Sequence, residues 1–335
     1  MSLKILYAFN GTGYGHASRA ISILPLLQHH EVDILVSGEM NPIDIGYKIK
    51  YRFKGFTFVY SSGKVSYWKT FRQLNVLEFI KNIFTLDVTQ YDLVISDFEP
   101  ISAYAAKLRV VKSLSLSHHA AFLSERTPRP NKVDRMAEWI LRNYAPCKYN
   151  IGFHFKRYDD FILPPHIRSV IRDNKESTMR LGHILVYLSA YNINDLVETF
   201  SKYKEYKFTI FTSQTKNFYW NHSNVEIKPT NPYNFMYSLL WCNGVITGGG
   251  FETVAEALYL NKPVFTIPIR GQYEQECNAT AAGKFDNVFK EPLSEVYLKE
   301  FMAVTKQIGI CENDFEISTD EEVLQAIENV LYDQV

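Results

Sequence analysis

Short apolar runs alternate with longer amphipathic segments along nearly the whole chain, and the alternation is interrupted once, at a tandem proline. Ahead of the interruption stand KILYAFNG (4–11), VDILVSG (32–38), GFTFVY (55–60), YDLVISD (91–97), VVKSLSLSH (110–118) and YNIGFHF (149–155). They are rich in Val, Ile, Leu and aromatics, and most are apolar on both faces, as strands buried between helices must be. Between two of them Leu74, Leu77, Phe79, Ile80 and Ile83 recur with helical spacing. This is the pattern of βαβ units winding a parallel sheet. Pro164–Pro165, in DDFILPPHIRS, can neither continue a helix nor join a central strand, so it reads as a linker. Then the pattern restarts with HILVYLS (183–189), KFTIFTS (207–213), VEIKPT (225–230), GVITGG (244–249) and PVFTIPI (263–269). The expectation is an α/β protein of two doubly wound parallel-sheet domains, 1–163 and 166–318. A last helix, about 319–332, can pack on either. A length of 335 residues also exceeds what one hydrophobic core usually organises.

Composition removes several function classes. Lys+Arg and Asp+Glu are equal at 36 each, without the basic excess of a dedicated nucleic-acid binder. Cys147, Cys242, Cys277 and Cys311 are far apart and form no CxxC pair, so they read as small buried hydrophobes in a reducing compartment. The apolar stretch Leu3–Phe9 is too short for a signal-peptide core. No apolar run reaches the roughly 20 residues that span a bilayer. A cytoplasmic protein is expected.

The first glycine-rich stretch, GTGYGHASRA (11–20), follows the first strand. A dinucleotide fingerprint needs G-x-G-x-x-G, whereas Gly11, Gly13 and Gly15 are spaced G-x-G-x-G and His16 stands where the third glycine belongs. A Walker loop is absent. What remains is a strand-to-helix turn that sets His16 near a helix N-terminus at the carboxyl edge of a parallel sheet, where ligands of open α/β sheets bind. His16 there suits a general base; the alternative is a bend whose histidine only caps the helix. Asp97, in SDFEP (96–100), ends another strand and is placed to orient the imidazole. Its alternative is an N-cap or loop acceptor. Asp97 and Glu99 have D-x-E spacing, but two carboxylates are a weak metal signal, and no metal or other cofactor is expected. His118 and His119 end the next strand at the same edge and are reserve candidates. Arg19, one turn after His16, reads as structural.

The second glycine loop says more. In GVITGGGFETVAEALYLNKPVFTIPIRGQYEQECNA a buried strand ends in Gly248–Gly249–Gly250 and a helix begins near Glu252 or Thr253. Three glycines admit a ligand close to the backbone, and the amides with the helix dipole behind them make an anion site suited to a diphosphate. Glu252 and Glu256 lie at i and i+4 on one helix face. A carboxylate one turn into such a helix can accept from both hydroxyls of a ribose. The polar helix start GQYEQECNA converges on whatever hangs from the diphosphate.

These motifs, GGxxxTxxEAL followed by P…EQxxNA, resemble the donor-binding region of nucleotide-sugar glycosyltransferases of the GT-B fold. The chain resembles most the MurG-like and related transferases that carry GTGxGHxxRA. The specific motifs cover about 50 residues. The resemblance implies two Rossmann-like domains facing across a cleft, with donor bound by the C-terminal one and acceptor by the N-terminal one. It implies that Gly248–Gly250 and the helix start hold the diphosphate with Thr253 beside it. It further implies that Glu256 binds the ribose, that Glu274 and Gln275 contact the donor-sugar hydroxyls, and that Asn278 closes the motif. His16 matches the histidine that deprotonates or orients the acceptor, and Asp97 its acidic partner. Two positions depart from the pattern. Some members have His where Gly248 stands, and the Gly-Gly-Ser loop opening the second domain is here LSAYN, leaving Ser189 as its hydroxyl.

The expected activity is metal-independent, inverting transfer of a sugar, in most relatives from UDP, to an acceptor hydroxyl, with a lipid-linked molecule or a glycan of the cell envelope as the candidate acceptors. The alternatives are a nucleotide-sugar 2-epimerase and a non-catalytic nucleotide-sugar-binding protein. A local asymmetry bears on the acceptor. Between Asp44 and Glu78 there is no acidic residue, but Lys48, Lys50, Arg52, Lys54, Lys64, Lys69 and Arg72 occur. Tyr47, Tyr51, Phe53, Trp68 and Phe71 are interleaved with them. The segment 47–72 reads either as a patch for an anionic membrane surface or as an edge strand guarded by lysines with its aromatics in the core.

Overall fold

The computed structural model describes residues 2–12, 14–38, 45–55, 60–61, 64–65, 75–175, 182–217, 219–221, 223–290, 293–306 and 314–332. The first half contributes strands β1 (Lys4–Asn10), β2 (Glu31–Ser37), β3 (Ile49–Phe53), β4 (Tyr60–Ser61), β5 (Lys64–Val65), β6 (Leu93–Asp97), β7 (Ser113–Ser117), β8 (Tyr149–Phe153) and β9 (Ile162–Leu163). Seven form one sheet in the order β3-β2-β1-β6-β7-β8-β9, every pairing parallel, while β4 and β5 make a short antiparallel pair. The second half contributes β10 (His183–Tyr187), β11 (Lys207–Thr212), β12 (Tyr219–Asn221), β13 (Val225–Pro229), β14 (Gly244–Thr247), β15 (Val264–Thr266) and β16 (Val288–Phe289). Their order is β12-β13-β11-β10-β14-β15-β16, parallel throughout except for β12. Central strands such as β6 are buried along their whole length, which is why they read as unbroken apolar runs.

This winding places the site. In the first sheet the chain leaves β1 toward β2 and returns on the other side at β6. The connections after β1 and β6 therefore diverge and open a crevice at their carboxyl ends. Phe9 pairs with Asp97 across those strands, so the turn after β1 and the end of β6 lie side by side. The second sheet repeats the arrangement between β10 and β14, and the Gly248–Gly250 loop leaves β14. The two crevices face each other.

Sheet one ends at Leu163, and the two prolines follow. The chain comes back beside them: Ser318 Oγ donates to the Pro164 carbonyl at 2.6 Å and Ser318 N to that of Pro165 at 3.0 Å. The last helix, Asp320–Leu331, then packs on the first half. Val323, Ile327, Val330 and Leu331 are buried in the core that contains Leu24 and Leu27, and Lys112 Nζ donates to the Leu331 carbonyl at 2.9 Å.

GFTFVY lies largely outside the described residues, and the edge strand of sheet one is Ile49–Phe53 instead. That strand holds part of the basic-aromatic segment, while Tyr47 ahead of it is exposed. Tyr51 and Phe53 pack against the core beneath β1 and β2, and Lys50 pairs with Asp33 at 2.5 Å. In these three residues the strand has the form of a guarded edge. Trp68, Lys69, Phe71 and Arg72 lie outside the described residues.

Gly152 on β8 holds the turn that carries two cleft histidines. A Cβ there would meet the backbone N and Cα of Ala121 at 2.6 and 2.7 Å, on the turn His119–Leu123. Gly152→Ala is expected to lower unfolding stability by about 1–3 kcal/mol, the usual effect of overpacking. An unchanged urea midpoint would show that the turn yields freely.

Candidate active site

The helix Gly15–Ile23 begins one residue before His16, with Tyr14 at its N-cap and no side-chain cap. The start of this helix lies against the opposite domain: a Cβ at Gly15 would sit 3.5 Å from Glu252 Cγ, in ordinary van der Waals contact. His16 Nδ1 lies 3.0 Å from Asp97 Oδ1. Asp97 is fully buried, and the N-cap alternative for it falls away because Glu99 caps the next helix. Glu99 accepts from the amides of Ile101 at 2.9 Å and Ser102 at 2.7 Å. That use of Glu99 also breaks the D-x-E pair. Among the described residues no group of three or more His, Cys, Asp or Glu side chains is arranged to hold a metal ion. Phe98 between them has φ 54°, a left-handed conformation strained for a bulky residue, and its ring stacks on His119 with centroids 3.7 Å apart.

Arg19 is more than the structural arginine its sequence position suggests. Nη1 donates to Asp97 Oδ1 at 2.6 Å, and Nη2 donates to Glu252 of the second domain. Burial alone would raise the Asp97 pKa, but the Arg19 guanidinium and then His16 outweigh it and hold the carboxyl below its usual range. Burial also dominates at Glu252, whose pKa is raised despite Arg19. The motif GTGxGHxxRA marks the position of Arg19, but nothing in it reveals its partners, which are 78 and 233 residues away.

On the facing side Gly249 has φ +86°, and a Cβ there would meet the Gln275 carbonyl at 3.2 Å. Gly250 is the N-cap of the helix Phe251–Tyr259, has open space at its Cβ position and provides no side-chain cap. The first-turn amides of that helix therefore keep donors for a ligand. Thr253 and Ser189 line the same cavity of about 810 Å³ as Gly15, His16, Arg19 and Gly250.

Other expected site residues are engaged in holding the walls. Glu256 is buried, and Arg168, just past the linker, grips both its oxygens at 2.6 and 2.9 Å. Gln275 Oε1 accepts from the Ile269 amide at 3.0 Å. Asn278 is fully buried: its Nδ2 donates to the Gly249 carbonyl at 3.2 Å and to Glu274 at 3.3 Å. Asn278 thus supports the glycine loop from behind. Glu274 lies 3.3 Å from His119 Nε2 across the cleft. Burial would raise its pKa, yet His119 and His118 hold it far below the usual carboxylate range. His118 Nδ1 lies 2.8 Å from the Phe153 carbonyl and Nε2 2.8 Å from Asn278 Oδ1. Its ring stacks on Phe251 of the second domain at 4.0 Å. Gly11 is buried and donates to the Ser37 carbonyl at 2.7 Å, which fixes the start of the first loop, and Gly13 lies outside the described residues.

With this geometry in view, the comparisons are direct. Residues 3–304 match the family described as Glycosyl transferase family 1, and the chain belongs to that family. An uncharacterized glycosyltransferase of Methanosarcina acetivorans is 25% identical, over 83% of this chain and 81% of its own. The glycosyltransferase SnogD from Streptomyces nogalater superposes with a TM-score of 0.58 at 13% identity, covering 98% of this chain and 100% of that one. MurG of Acinetobacter baumannii gives 0.54 at 14% identity, covering 99% and 98%. A putative UDP-N-acetylglucosamine 2-epimerase from Listeria monocytogenes shares the fold as well, at 0.61 and 11% identity, covering 100% and 98%. The chain is a glycosyltransferase of the GT-B fold.

Buried histidines give the fold a pH dependence. His154, behind His118, is fully buried, and its Nδ1 accepts from the Phe155 amide at 2.9 Å, so that nitrogen carries no proton. Burial pushes the His154 pKa well below 6.5, and burial pushes that of His183 down to about 4. Depressed folded values mean that the unfolded chain binds more protons below 6.5. Stability is then fully present above about 6.5 and is lost as pH falls toward 4, by at most about 1.4 kcal/mol per unit and group. His154→Asn, which keeps an acceptor for Phe155, is expected to flatten urea midpoints measured from pH 7 to 5. An unaltered slope would contradict the assignment.

Proposed function

We propose that the protein transfers a sugar from a nucleoside-diphosphate sugar, with UDP the first candidate, to an acceptor hydroxyl by one inverting displacement. The observation that carries this reading is the uncapped helix start at Gly250, which faces the His16–Asp97 pair across one cavity. The diphosphate sits on the amides that follow Gly248–Gly250, beside Thr253. The leaving charge is met by those amides and the helix dipole, with Arg19 and Arg168 nearby as fixed cations. Glu256 keeps lone pairs for ribose hydroxyls even while Arg168 holds both its oxygens, because a carboxylate offers about four acceptor sites. Glu274 and Gln275 lie where the sugar would hang from the diphosphate. His16 takes the acceptor proton as the oxygen attacks, and Asp97 stabilises the imidazolium that results.

The acceptor side has one apolar wall among polar groups that include Asn10, Thr12, Ser18 and His16. Phe98, Ala137, Ile140 and Leu141 line the cavity next to His16 and His119, which suits a hydroxyl carried on an apolar or lipid-linked body better than a bare glycan. A panel of apolar and glycan acceptors, with released UDP as readout, separates the two. Turnover with glycans alone would contradict the apolar reading.

General-base assistance typically supplies 10²–10⁴-fold, so His16→Ala is expected to lose about that much kcat. Near-wild-type turnover would overturn the base assignment. Glu256→Ala should instead weaken UDP binding by calorimetry, by about tenfold or more for the loss of a hydrogen-bonding carboxylate. Equal affinity would remove its ribose role.

A further inference from the structure

One guanidinium is common to both sides of the cleft. Arg19 follows His16 by three residues on the same helix, so the two side chains share a face. Its Nη1 donates to the Asp97 oxygen that also lies 3.0 Å from His16 Nδ1, and its Nη2 donates to Glu252 in the first turn of the donor-side helix. The Arg19 side chain is 5% exposed and that of Glu252 17%. The two helix starts lie side by side here, since a Cβ on Gly15 would be in van der Waals contact with Glu252 Cγ at 3.5 Å.

We propose that Arg19 is a positioning residue which, by dividing its guanidinium between Asp97 and Glu252, ties the orientation of the His16–Asp97 pair and the field at His16 to closure of the donor loop. The inference rests on reading His16 as the base. With Glu252 seated, its carboxylate offsets part of the Arg19 charge, and Asp97 acts on His16 with little opposition. When the second domain moves away, Glu252 leaves with it. Arg19 then acts on Asp97 alone, and the imidazolium loses support. Closure thus strengthens the base at the moment the donor loop arrives. The burial-driven rise at Glu252, opposed by Arg19, and the net lowering at Asp97 agree with one shared cation.

Other charged and titratable groups face this cluster. They are Tyr7 from β1, His118 and His119 from the turn after β7, Glu256 and Glu274 from the second domain, and Arg168 past the linker. All are the same in the variants compared, so they cancel.

The test is the titration of His16 by NMR of histidine ring signals, with the His16→Gln spectrum giving the assignment. It needs no substrate. Glu252→Gln keeps the shape but removes the counter-charge, so the His16 midpoint is expected to fall. Arg19→Gln removes the offsetting cation, so it is expected to rise. Each shift should be on the order of half a unit to one unit. A role in packing alone, with neither charge acting on His16, would not give opposite signs. Shifts of the same sign, or none in Glu252→Gln, would overturn the proposal. If Arg19→Gln fails to fold, Glu252→Gln decides alone. Failure of the base assignment is seen separately, as retained turnover in His16→Ala.

Discussion

A carboxylate stripped of water at the end of β6 organises the centre of this protein. Asp97 has no exposed surface, and a buried charge persists only if it is paired and hydrogen-bonded. Arg19 pairs with Asp97 and hydrogen-bonds it while His16 lies 3.0 Å away on the same helix, and Arg19, itself buried, needs a second acceptor, which Glu252 provides from the other domain. Satisfying one charge therefore draws in the next, and the chain of compensation crosses the cleft. Around it the domains meet through the His118–Phe251 stack and the His119–Glu274 pair. The walls that a donor and an acceptor must share are held together by the groups that would act on them.

Most of the fold was legible because parallel strands buried on both faces leave a simple imprint. β1, β6, β10 and β14 appear in the sequence as apolar runs within two residues of their structural bounds, and Pro164–Pro165 marks where the first sheet ends. The edge was less readable. Ile49–Phe53 alternates Lys and Arg with aromatics because one face is solvated and the other covers the core, and that pattern serves a surface patch equally well. The last helix joins the first half through Ser318 and Lys112, contacts no periodicity can foretell.

The site was legible where local backbone chemistry dictates it. A glycine run between strand and helix predicts an anion-binding turn, and Gly249 with its positive φ and Gly250 with its open Cβ position fit that expectation. It was obscure where a role depends on distant partners. Arg19 stands in the first glycine motif, which does not reveal its partners, and Arg168 is 88 residues from the Glu256 it clamps. Asn278 has a motif position that suggests ligand contact, yet it is buried behind the loop it supports. Motif spacing picks out loops that line the cavity; the three-dimensional pairing of charges decides which of their side chains are engaged in its walls.

The central claim is that the donor diphosphate belongs on the second glycine loop and the first serves the acceptor. A crystal structure of the protein with UDP tests it most directly. The expected result has the diphosphate oxygens about 3 Å from the backbone amides that follow Gly249 and Gly250, at the start of the helix Phe251–Tyr259. A diphosphate bound instead on the Gly11–Gly15 turn, against His16, would contradict the account.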